Sequence, residues 1–120
     1  MKLILTLGLQ AQIKAEAKSA FPRECCGLIE GVVCGDVFVA RALHPARNDA
    51  EAADRFAIAP EDHLKVSRLA RANGHRLIGC YHSHPKGAAE PSRHDLNGAG
   101  EENFLWLIAG GADCGLRAFI

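Results

Sequence analysis

Arg76-Leu77-Ile78-Gly79-Cys80-Tyr81-His82-Ser83-His84-Pro85 is the stretch on which the reading of this chain turns. Arg76–Tyr81 reads as an apolar strand, with His82 and His84 two residues apart at its end. Alternate residues of a strand point to one face, so both imidazoles can reach a single metal ion. Seven residues separate His84 from Ser92, and two more separate Ser92 from Asp95. Ser92 and Asp95 share a helix face if Ser92–Ala99 is a short helix. His82, His84 and Asp95 then make an N/N/O donor set. That set matches a catalytic zinc site, which keeps its fourth position for water, whereas a structural site is more often closed by four Cys-rich ligands.

Outward from this stretch the pattern is mixed. Residues 2–9 alternate apolar side chains and read as a strand. Gln10–Ala20, rich in Ala, Lys, Glu and Gln, reads as a helix that stops before Phe21-Pro22. Cys25–Val33 reads as a buried strand that turns at Gly35-Asp36 into a second strand, Val37–Leu43. His44–Asp54 reads as a polar loop and Arg55–Ala59 as a short strand. Pro60 opens a helix with Glu61 and Asp62 in its first turn, and Asn73-Gly74 ends it. Phe104–Ala109 and Leu116–Ile120 are the final strands. The expected architecture is a single α/β (α+β) domain over residues 1–120, one central mixed sheet with two or three helices.

Composition limits the functions open to such a domain. The chain has 120 residues, 48% of them hydrophobic, with Lys+Arg at 14 and Asp+Glu at 14. Ample apolar content without net charge disfavours disorder. The lack of a basic surplus gives nucleic-acid binding no support. Apolar runs such as Phe104–Ala109 are far below the roughly 20 residues that span a bilayer, so no membrane partner is expected. Met1-Lys2-Leu3-Ile4-Leu5-Thr6-Leu7 lacks a following cleavage site, so it reads as mature protein, and the cytoplasm is the expected location. The five cysteines form no C-x-x-C signature and read as free thiols in a reducing compartment.

Hydrolysis by an activated water also needs a group to take the water's proton, and a carboxylate that does not ligate the metal commonly serves. Glu24, at the start of a buried strand beside Cys25-Cys26-Gly27, is the best placed by sequence. Glu90, in a loop, and Glu30, along the strand with the wrong neighbours, are weaker candidates. Each residue also has a plain structural reading. A histidine at a strand end is usually a polar cap, and Ser92-x-x-Asp95 after Pro91 is also a helix start with a capping serine. His94 reads as a solvent-facing helix residue, His44, His63 and His75 as surface residues, Cys80 as a small buried apolar residue and Trp106 as core. Ser83 orients its neighbours, since no His-Asp relay surrounds it. The whole string is what departs from chance: His-Ser-His, seven residues, Ser, two residues, Asp is expected well below about once in a thousand such chains at ordinary residue frequencies.

Taken together, Glu24, His82-Ser83-His84, Ser92 and Asp95 resemble the JAMM motif of JAB/MPN-type metallopeptidases. The resemblance extends over nearly the whole chain: Glu24-Cys25-Cys26-Gly27-Leu28-Ile29, Asn48, Phe56–Pro60 and Gly79–His84 each resemble a family segment, and the length resembles the stand-alone prokaryotic branch. It implies a cytidine-deaminase-like JAB/MPN fold with a curved, partly barrel-like sheet. It also implies one Zn2+ held by His82, His84 and Asp95, with Glu24 as the catalytic base and Ser92 as a hydrogen-bond donor to the oxyanion. The implied activity is peptide or isopeptide hydrolysis after the C-terminus of a ubiquitin-like or sulfur-carrier protein ending in Gly-Gly. The loops His44–Asp54 and Lys86–Pro91 are the expected walls of the substrate groove. A zinc deaminase is the first rival, but its His-x-Glu and Pro-Cys-x-x-Cys signatures are missing. A non-catalytic MPN-type binding module with a structural or vestigial zinc is the second.

Overall fold

The computed structural model describes residues 2–50, 56–85, 104–111 and 115–119. The elements run β1 (Lys2–Ile4), α1 (Leu7–Ala20), β2 (Cys26–Cys34), β3 (Val37–Ala46), α2 (Pro60–Ala72), β4 (Arg76–Ser83), β5 (Leu105–Ala109) and β6 (Leu116–Phe119). The strands form a mixed, nearly closed six-stranded sheet in the order β1-β3-β2-β4-β5-β6. β2 is antiparallel to both β3 and β4, while β1 runs parallel to β3 and β5 parallel to β4. The two helices cover the two faces of this sheet. Ile13 of α1 packs in one cluster with Ile29, Phe38, Ile78, Tyr81 and Leu105. Val66 of α2 packs in another with Leu28 and Cys80, flanked by Phe56 and Trp106. The radius of gyration is 13.2 Å, close to the roughly 13.6 Å of a compact domain this long. Among the described residues, no helix is long and apolar enough to cross a membrane.

Several expectations hold, and others are corrected by local chemistry. The strand read over residues 2–9 is only three residues long. Thr6 ends it, because its hydroxyl accepts from the Leu9 N–H at 3.2 Å and caps a helix that starts at Leu7 rather than Gln10. The loop expected from His44 begins later, since His44 to Ala46 still pair with Leu28 to Cys26. The short strand expected over Arg55–Ala59 does not form in its described part, residues 56–59. There the Ala57 N–H goes to the Asn48 side chain instead of a neighbouring strand. The helix α2 starts at Pro60 with Glu61 and Asp62 in its first turn, and Asn73 is its C-cap. Gly74 follows at φ +74°, a left-handed conformation that glycine adopts without Cβ strain. The short helix expected over Ser92–Ala99 lies outside the described residues.

Glycine is also required where β4 meets β5. A Cβ on Gly79 falls 2.2 Å from the Leu105 carbonyl oxygen, a backbone atom that cannot rotate away. Gly79→Ala is therefore expected to lower stability by about 1–3 kcal/mol through overpacking. Urea unfolding of the variant measures this, and a loss below about 0.5 kcal/mol contradicts it.

Candidate metal centre

β4 supplies His82, and His84 follows one residue beyond its end. Cys80 and His82 face α2, while Tyr81 and Ser83 face the α1 side, as strand alternation requires. Tyr81 is fully buried and its hydroxyl donates to Glu16 Oε1 at 2.7 Å, tying the strand to α1. The end of β4 is fastened to the residue before β2. The Ser83 N–H donates to the Cys25 carbonyl at 3.1 Å, and the Cys25 N–H donates to Ser83 Oγ at 2.9 Å. Ser83 thus orients its neighbours by a backbone bond. This clasp sets Glu24 beside the strand end that carries the histidines. The His84 N–H, in turn, donates to the Ala109 carbonyl at 2.8 Å and fixes the chain beyond β4.

The result is a buried carboxylate beside two buried imidazoles. Glu24 is 4% exposed, His82 0% and His84 9%. One potential ligand atom from each lies within 4.8 Å of the others. His82 Nε2 and His84 Nε2 are 3.1 Å apart. Two imidazole nitrogens on one tetrahedral zinc, each at about 2.0–2.1 Å, stand about 3.3 Å apart. The donors and their spacing therefore fit a zinc-sized ion. Asp95 and Ser92 lie outside the described residues, as do Glu90 and His94.

An aromatic wall surrounds His82. The Phe56 ring stacks on the imidazole with centroids 4.2 Å apart and planes 20° from parallel. Trp106 meets His82 edge-on at 5.9 Å and Phe56 at 6.3 Å. Trp106, expected simply as core, is half-buried and part of this wall. Its position in an apolar strand gave no sign of that, because the contact depends on β5 lying parallel beside β4. The cysteines nearby are poor nucleophiles. Burial, reinforced by Cys25 and Glu24, pushes the Cys26 thiol up to about 12. Cys25 is raised as well, by burial, despite its hydrogen bond with Ser83.

Glu30, the weaker strand carboxylate, has a different setting. Glu30 does not lack suitable neighbours, and His44 and His75 are not free surface residues. Glu30 is 2% exposed, with Oε1 at 2.8 Å from His44 Nε2 and Oε2 at 2.5 Å from His75 Nδ1. Asn73 Nδ2 also donates to Oε2, at 3.1 Å. Burial opposes ionisation, but hydrogen bonds from His75, His44 and Asn73 outweigh it and hold the carboxyl below its ordinary value. Both neighbouring strands shift register at Glu30. The sequence signal was alternation: Cys26, Leu28 and Glu30 share one face of an apolar strand, and a buried charge needs partners. Of the loops expected to wall a groove, Lys86–Pro91 is outside the described residues. A cavity of about 390 Å³ opens beside the end of β4, lined by Ala17, Phe21, Ser83, Pro85 and Gly110 among others.

The buried Glu/His/His group on a nearly closed mixed sheet defines a class of fold and site, and the comparisons agree with it. The chain belongs to the family described as prokaryotic homologs of the JAB domain, which matches residues 6–119. It is 32% identical over 106 residues to tail tip assembly protein K of Escherichia phage N15, covering 88% of this chain but only 40% of that protein. It is 32% identical over 122 residues to a probable TtuB-protein conjugate cleaving protease of Thermus thermophilus, covering 98% of this chain and 75% of the relative. Among solved structures, one of a protein from Desulfitobacterium hafniense superposes with a TM-score of 0.83 at 27% identity, covering 99% of this chain and 90% of that one. A JAB1/MPN domain protein from Archaeoglobus fulgidus superposes at 0.57 and 23% identity, covering 99% and 88%, and shares the fold.

Proposed function

We propose that this chain is a zinc-dependent peptidase or isopeptidase that cleaves after the Gly-Gly terminus of a ubiquitin-like or sulfur-carrier protein. The observation that carries the proposal is the convergence of Glu24, His82 and His84 in one buried group. The conjugate-cleaving protease named among the relatives supports the substrate class. In this reading His82, His84 and Asp95 hold the metal. A bound zinc supplies Lewis acidity and a water that ionises near neutral pH. Glu24 takes the proton of the attacking water on its carboxylate and returns it to the leaving amine. Ser92 donates a hydrogen bond to the developing oxyanion, a contact whose loss typically costs about 100- to 1,000-fold in rate. The Phe56 and Trp106 rings fix the His82 imidazole and keep bulk water from its face.

Elemental analysis of untagged protein beside His84→Ala tests the site. About one zinc per wild-type chain, lost in the variant, is expected, since metal binding requires the full ligand set. Cleavage of a Gly-Gly-linked conjugate is expected to stop on chelation and to return with Zn2+. A wild type that stays metal-free after zinc is added overturns the proposal and leaves the binding-module reading.

A further inference from the structure

Three separate segments meet at the Asn48 side chain. Its Nδ2 donates to the Glu24 carbonyl at 2.9 Å. Its Oδ1 accepts from the Ala50 N–H at 2.9 Å and from the Ala57 N–H at 3.2 Å. The Asp49 N–H donates to the Ala57 carbonyl at 3.0 Å, and the Arg23 guanidinium donates to the Ala50 carbonyl. Asn48 therefore joins the segment carrying Glu24 to the segment carrying Phe56, whose ring lies on His82. Ala57 is adjacent to Phe56, so its bond to Oδ1 sets where the backbone delivers that ring. An amide suits this task because it offers a donor and an acceptor on one short, uncharged side chain.

The geometry points to Asn48 as a positioning residue that sets the His82 imidazole for the metal through Phe56, while holding Glu24 in the same frame. This rests on the zinc reading above. Outer contacts that orient a metal ligand commonly change affinity by about 10- to 100-fold. Asn48 acts here through Phe56, so the two residues form one chain of influence instead of two independent supports.

The test is a double-mutant cycle read by Zn2+ affinity, from competition with a chromogenic chelator and from emission of Trp106, the sole tryptophan. Asn48→Ala and Phe56→Leu are each expected to weaken zinc binding about tenfold. The double variant is expected to be about tenfold weaker too, because the second change removes nothing further. A general loss of stability lowers the unfolding midpoint of the metal-free protein but does not produce this non-additivity. Additive losses of about a hundredfold, or wild-type affinity in Asn48→Ala, overturn the inference. Asn48→Ser serves if the alanine variant does not fold: its short hydroxyl cannot bridge the Glu24 carbonyl and the Ala57 N–H together, so the same loss of about tenfold is expected, and wild-type affinity there also overturns the inference. A wild type that binds no zinc removes the underlying reading, whereas additive losses in a zinc-binding wild type remove this inference alone.

Discussion

Glu24→Gln is expected to retain about one zinc per chain while losing about 100- to 10,000-fold in turnover of a Gly-Gly-linked conjugate, the range typical of a positioned general base. Glutamine has the shape of glutamate and can keep its hydrogen bonds, but it cannot accept the proton of an attacking water. Glu24 is 4% exposed and sits against both imidazoles, so solvent cannot readily substitute for it at that atom. The metal should remain because in the proposed set its ligands are His82, His84 and Asp95. Initial rates and elemental analysis on the same preparation separate the two effects. A variant with more than one-tenth of the wild-type rate contradicts the role of the base. A variant that loses its zinc would instead place Glu24 among the ligands.

The second large effect concerns stability. Glu30→Ala leaves His44, His75 and Asn73 without the carboxylate they share. A hydrogen bond to a charged group typically contributes about 1.5–3 kcal/mol, and removing the shared acceptor leaves its donors unsatisfied. The two histidines are 25% and 26% exposed, so water recovers part of their loss, and about 3 kcal/mol is expected for the three bonds together. That is a large share of the roughly 5–15 kcal/mol that holds a domain together. Urea unfolding at neutral pH measures it, and a change under about 0.5 kcal/mol contradicts it.

The pH dependence has a definite sign. The folded state holds the Glu30 carboxyl below its ordinary value. Its contribution is therefore complete above the unfolded-state value, near about pH 4.3. It is lost as pH falls through the lower folded-state value. The stability gap between wild type and Glu30→Gln should narrow in acid below that point and stay constant just above it.

These sites differ in how far the sequence reveals them. His82 and His84 are legible because strand alternation alone puts them on one face. Glu24 is legible as a charge beside a buried strand. Pro60, Glu61 and Asp62 at one end of α2 and Asn73-Gly74 at the other are local signals, and they place the helix to the residue. Residues 2–9 mislead because their alternation outweighs Thr6, whose single capping bond reverses the assignment. The Glu30 cluster is hidden because Glu30 on β2 meets partners from β3 and from the turn after α2, up to 45 residues away in sequence. The wall around His82 is hidden for the same reason, since Phe56 and Trp106 come together only through long-range packing.

β4 lies with β2 at the middle of the six strands, hydrogen-bonded on both sides. Strands so placed commonly exchange their amide protons only when the whole molecule opens, whereas edges and termini open singly and often. His82 is thus mounted on the strand expected to open least on its own, and His84, one residue beyond its end, is tied to β5 by its N–H bond to the Ala109 carbonyl. Fraying at β1 or β6 leaves their spacing intact. The spacing of the paired histidines is then expected to last as long as the native state itself.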